Sequence, residues 1–170
     1  KTLNVIIRRE KTMARSFSTA TLTVKIQEGI VLGGQDMGSM NSFSVTGIKN
    51  VVKRLMTATT DLMTIMTFHA STEGAGQYIE GNVRYIRITN LDDTNHICLI
   101  FVNEHSDEFA VKVDKGQSFV FNADMSGGVV DVFDANGAGS ATTGSIADLT
   151  TIKVQSDTAS CDIETYIATA

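Results

Sequence analysis

Residues 83–121 constrain the fold more than any other part of this chain. Strand-length runs follow one another there, separated only by Asp/Asn/Gly turns and without a single proline. Phe109, Val111 and Val113 alternate with Ala110, Lys112 and Asp114, the period-2 pattern of a strand with one face in a core and one toward water. In residues 97–102 both alternating sets are apolar: Ile97, Leu99 and Phe101 on one side, Cys98, Ile100 and Val102 on the other. That pattern predicts a strand covered on both faces, by a second layer or by another subunit. The expected core of this meander is Ile86, Ile88, Leu99, Phe101, Phe109, Val111 and Val113.

The rest of the chain reads largely the same way. Leu22, Val24 and Ile26 alternate with polar residues, Gly33-Gly34 ends the next short run, and Phe43 and Val45 mark another strand. Ile48, Val51, Val52, Leu55 and Met56 fall at helical spacing, which predicts a helical turn leading into a strand. Residues 62–69 and 129–133, the run 152–155 and the run 161–168 complete the strands, with loops at 71–76 and at the low-complexity stretch 134–144. In the last run Cys161, Ile163 and Ile167 face one way and Asp162, Glu164 and Tyr166 the other. About ten short strands and little helix predict an all-β fold: a single β-sandwich or jelly-roll-like domain over residues 17–170, preceded by an N-terminal arm or upstream extension at 1–16.

With 170 residues the chain can bury a full core without staples. A net charge of -5 and a pI near 5.1 leave no basic stripe, which argues against nucleic acid or an anionic membrane as partner. No apolar run is long enough for a membrane-spanning helix. Proline is absent, where average usage would give about eight. Charged residues make up only 19 %, so much of the surface is small and uncharged, a composition that suits packing against identical neighbours. Cys98 and Cys161 lie far apart in strand-like runs and read as buried free thiols of a protein made in a reducing compartment. Met13-Ala14 looks like an initiation dipeptide, and Arg8-Arg9 encoded as AGG-AGG would place a ribosome-binding sequence just upstream. Residues 1–12 are thus either an upstream extension or an arm whose Leu3-Asn4-Val5-Ile6-Ile7 adds a strand to a neighbouring subunit.

Residues with chemical potential are few. Asn103-Glu104-His105-Ser106-Asp107-Glu108 groups an imidazole with three carboxylates but lacks metal-ligand spacing, and reads as a solvated hairpin tip. Asp92-Asp93-Thr94-Asn95 reads as a turn capped by its own side chains. His69, His96 and His105 have no nucleophile-elbow motif and no orienting carboxylate at a recognisable spacing. Gly33-Gly34 and Gly127-Gly128 lack the frames of phosphate-binding loops. Met37, Met40, Met56, Met63 and Met66 read as core filling. The sequence therefore predicts no catalytic, cofactor-binding or metal-binding residues.

The words IRITNLDDTN (Ile86 to Asn95) and DKGQSFVF (Asp114 to Phe121), with Met-Ala-Arg-Ser-Phe-Ser from Met13, resemble small virion structural proteins of marine tailed bacteriophages, particularly those infecting cyanobacteria. The resemblance covers mainly residues 83–133. It implies a β-sandwich subunit repeated many times in a head, neck or tail, made in the host cytoplasm and located in the virion. The expected function is non-enzymatic: a head decoration (cement) protein or another multi-copy subunit. Its partners would be copies of itself and other virion proteins, such as the major capsid or tail and neck proteins. The alternative is a carbohydrate-binding adhesin module of an appendage, with a surface glycan as partner and aromatic contacts such as Tyr78, Tyr85 and Tyr166. A small hydrolase lacks a nucleophile-base-orienter set.

Overall fold

The computed structural model describes residues 18–122, 129–130 and 146–170. The expected arm at 1–16, Gly127-Gly128, residues 131–133 and the loop 134–144 lie outside the described residues. The strands in chain order are β1 (Ala20–Glu28), β2 (Val31–Leu32), β3 (Gln35–Asp36), β4 (Ser39–Ile48), β5 (Asn50–Ala58), β6 (Met63–His69), β7 (Gln77–Ile79), β8 (Val83–Asn90), β9 (Ile97–Asn103), β10 (Glu108–Val113), β11 (Ser118–Phe121), β12 (Val129–Val130), β13 (Ile146–Ala147), β14 (Leu149–Ser156) and β15 (Cys161–Thr169). A 3₁₀ turn at Glu80–Asn82 leads into β8.

Eight of these strands pair in a nested order. β5 pairs with β15, β6 with β14, β8 with β11 and β9 with β10, all antiparallel. First thus pairs with last, second with second-last, and so on inward, as in a sheet folded over on itself into a jelly roll. The pairs β8·β15 and β9·β14 then join these strand pairs into two sheets, ordered β10-β9-β14-β6-β7 and β11-β8-β15-β5. The expected all-β sandwich is the observed architecture.

The core lies between the sheets, where the period-2 pattern directs alternate side chains. Ile86, Ile88, Leu99 and Phe101 are completely buried and Val113 nearly so, while Phe109 and Val111 are partly buried against the same cluster. Phe101 sits at its centre, stacked on Phe109 with ring centroids 4.6 Å apart and 5.1 Å from Phe119 of the facing sheet. In β15 Cys161, Ile163 and Ile167 face inward as expected. The second apolar set of β9 is different: Cys98, Ile100 and Val102 are only half-buried and belong to neither core cluster. They sit on the outer face of the five-stranded sheet.

The expected helical turn at 48–56 is overturned. Those residues end β4 and form β5, which pairs with β15 along its whole length. Helical spacing arose because both faces of β5 carry apolar residues, Val52 and Met56 packed against the core and Val51 and Leu55 exposed.

The strands β1 and β4 form a two-stranded ribbon apart from both sheets. Its far end is the short β2-β3 hairpin, closed by Gly33 and Gly34 at φ +59° and +82°. Both positive angles are those of a two-residue type I′ turn, which only residues such as glycine adopt without strain. At the near end Leu22, Val24, Phe43 and Val45 pack beside Tyr85, Tyr166 and Ala168 on the outer face of the four-stranded sheet. Beyond that anchor, residues 25–42 are all exposed.

Candidate functional site

The two loops with the richest polar chemistry turn that chemistry inward. At the β9-β10 tip, Asn103 Oδ1 accepts from the backbone N–H groups of His105 at 3.0 Å and Asp107 at 2.8 Å, and its Nδ2 donates to Asp107 Oδ2 at 3.1 Å. Ser106 takes the left-handed conformation at φ 69° within this turn. Glu108 pairs with Lys153 at 3.2 Å, and Glu104 accepts from the Asp148 N–H at 3.4 Å. The loop after β8 repeats the device. Asn90, fully buried, accepts from Asp92 N–H at 3.0 Å and donates to the Asn95 carbonyl at 2.9 Å. Asp92 Oδ1 accepts from the amides of Thr94 and Asn95, and these bonds hold its carboxyl below the ordinary aspartate value. Among the described residues no three His, Cys, Asp or Glu side chains are grouped to hold a metal ion.

The histidines are apart. His69 lies on β6 near Glu80, whose carboxyl is raised by burial and by Asp148 and Glu104, with His69 opposing. His105 is on the tip described above. His96 does have an orienting carboxylate: its Nδ1 lies 3.3 Å from Asp157 Oδ2. The contact joins residues remote in the chain, so spacing gave no sign of it. Cys98 lines the same groove, of about 260 Å³. His96 and Asp157 are 33 % and 43 % exposed, so water screens the pair and it contributes little to stability. Cys98 and Cys161 are both free thiols, the first half-buried rather than buried and the second fully buried.

Two of the three tyrosines are buried and the third is half-buried. Tyr78 is buried against Phe68, Tyr85 is buried, and Tyr166 meets Tyr85 edge-on at 6.0 Å beneath the ribbon's anchor. The expectation of exposed aromatic contacts is corrected at Tyr78 and Tyr85, while Tyr166 stays half-buried beside a groove of about 320 Å³.

What the fold leaves open is surface that can pack. The outer face of the four-stranded sheet centres on Glu164, which pairs with Lys53 Nζ at 2.7 Å and Arg87 Nη2 at 2.5 Å. The Lys53 hydrogen bond, followed by that from Arg87, lowers the Glu164 carboxyl against the opposing effect of burial. Arg87 also donates to Thr89 Oγ1 at 2.7 Å and lies over the Tyr166 ring at 5.8 Å. Around this ion-paired centre Val51, Leu55 and Val120 are exposed, and Leu55 and Leu91 line a groove of about 290 Å³ at one end of the face. The second open surface is the overhanging ribbon. Ile26, Ile30, Val31, Leu32, Met37 and Met40 are all exposed on it. Met37 and Met40, expected in the core, are 60 % and 69 % exposed, while Met66 is buried and Met56 and Met63 pack against the core. Methionine content alone does not say which surface is being filled.

No protein-family model, curated protein or solved structure matches this chain.

Proposed function

We propose that the chain is a non-enzymatic structural subunit of a tailed-bacteriophage particle, a head decoration (cement) protein or another multi-copy virion component, acting by self-association of its β-sandwich. The observation that carries this reading is the ribbon: residues 25–42 are exposed throughout and hold six large apolar side chains. Apolar surface concentrated in this way marks a site of protein contact. The jelly roll is a fold used by viral capsid domains, and the resemblance of residues 83–133 to phage virion proteins points the same way. The subunit would be made in the host cytoplasm and built into the virion, beside copies of itself and the capsid, neck or tail proteins.

A carbohydrate-binding adhesin is the second reading, because lectin domains also use jelly rolls. It ranks lower because all three tyrosines are occupied in packing. Quantitative mass spectrometry of purified particles of the phage that encodes the chain tests the proposal. Many copies per particle are expected, with a dozen or fewer assigning it to the neck or a tip rather than the shell. Absence from the particle overturns it.

A further inference from the structure

Resting on the self-association reading, we propose that the overhanging ribbon is an exchange arm: residues 25–42 of one copy pack on the outer face of a second copy's four-stranded sheet, at Leu55 and Leu91. A two-stranded ribbon is marginally stable alone in water and needs a hydrophobic face packed on something further. Among the described residues that support reaches one end only. Leu22, Val24, Phe43 and Val45 are seated beside Tyr85 and Tyr166. From Lys25 outward the ribbon has no packing partner among the described residues.

The size of the overhang fits such a contact. A standard protein interface takes about 20–30 residues from each side, and residues 25–42 come close to one such side before the anchor is counted. The receiving surface is on the same chain. Leu55 is 71 % exposed and Leu91 49 % exposed beside a groove of about 290 Å³, at the end of the sheet where β15 begins, away from the ribbon's own anchor at Tyr85 and Ala168. Because arm and receptor are different patches, the contact is heterologous, and each copy can give one arm and receive another. Repetition would then tie neighbouring subunits together, and the apolar tip would leave water in every link of the chain or ring.

Two variants of the full chain test this: Val31→Asp with Leu32→Asp on the arm, and Leu55→Glu on the receiving face. All three positions are exposed, so circular dichroism and thermal melting should match the wild type. Sedimentation equilibrium should show each variant's self-association weakened by roughly thirtyfold, the size of a hot-spot loss. The variants mixed should form a heterodimer, since one keeps an intact face and the other an intact arm. Wild-type-like association of either variant, or a mixture that stays monomeric, overturns the exchange arm. A chain that assembles normally with both variants keeps the self-association reading and loses only the arm. Absence of the chain from purified particles removes the virion reading independently.

Discussion

Asn90 and Asn103 end β8 and β9 at the same structural point, where an inward-facing position meets a loop. Each is buried, and each side chain holds the backbone of the turn that follows. An amide is suited to this because it offers a carbonyl to the loop's N–H groups and two N–H donors to carbonyls. Asn90→Ala leaves the carbonyls of Asn95 and Val113 and the Asp92 N–H without that partner. The expected loss is about 1–3 kcal/mol in urea unfolding, the cost of one buried group left unpaired, since only the bond to the Val113 carbonyl is fully buried. Glu164 governs pH response in a similar way. Its folded carboxyl lies below the ordinary value of 4.5, held there by Lys53 and Arg87. The stability it contributes is therefore present above that range and lost as pH falls through the folded value. Asp92 adds an effect of the same sign, whereas the raised Glu80 carboxyl disfavours the folded state as pH rises through 4.5. Glu164→Gln should make the decline in urea midpoint on acidification shallower than in the wild type. An unchanged decline would mean that the pair with Lys53 and Arg87 is not maintained in solution.

Single strands were legible to different degrees, for reasons of alternation. β10 and β15 have one apolar and one polar face, so their inward residues could be read directly. β5 has apolar residues on both faces, and that mixture imitates a helical stripe. What decides between the two is pairing with β15, a partner more than a hundred residues away, which no local pattern encodes. β9 is a third case: its outer set, Cys98, Ile100 and Val102, is apolar yet only half-buried, so a second apolar set did not mark a second covering layer within this chain's described residues. The contact between β9 and β10 also grades the core. Phe101 is fully buried and touches Phe109, Phe119 and Phe121, whereas Phe109 is half-buried at the sheet's edge strand. Phe101→Ala should cost about 3–5 kcal/mol, the usual range for losing a buried phenylalanine ring. Phe109→Ala should cost measurably less in the same unfolding experiment. Equal costs would place the edge strand β10 under cover that this register does not provide.

For the molecule as a whole, the nested pairing of eight strands closes the core, and the polar side chains described hold loops and pair with one another on the outer face. Among the described residues, the large apolar side chains left exposed are concentrated on the overhanging ribbon, with Leu55 and Leu91 at one end of the four-stranded sheet. The sandwich was legible because alternation records what faces a core. The ribbon's reach was not, because alternation in β1 reads the same whether its apolar face meets its own sheet, as at Leu22 and Val24, or leaves it, as at Ile26. Exposure of Met37 and Met40 was hidden for the same reason. The central claim is that these open surfaces are contacts between copies. Light scattering on the purified full chain over a range of concentrations tests it most directly. The account predicts a concentration-dependent mass that rises to a multiple of 18.3 kDa; a mass that stays at 18.3 kDa at the highest soluble concentration would contradict it.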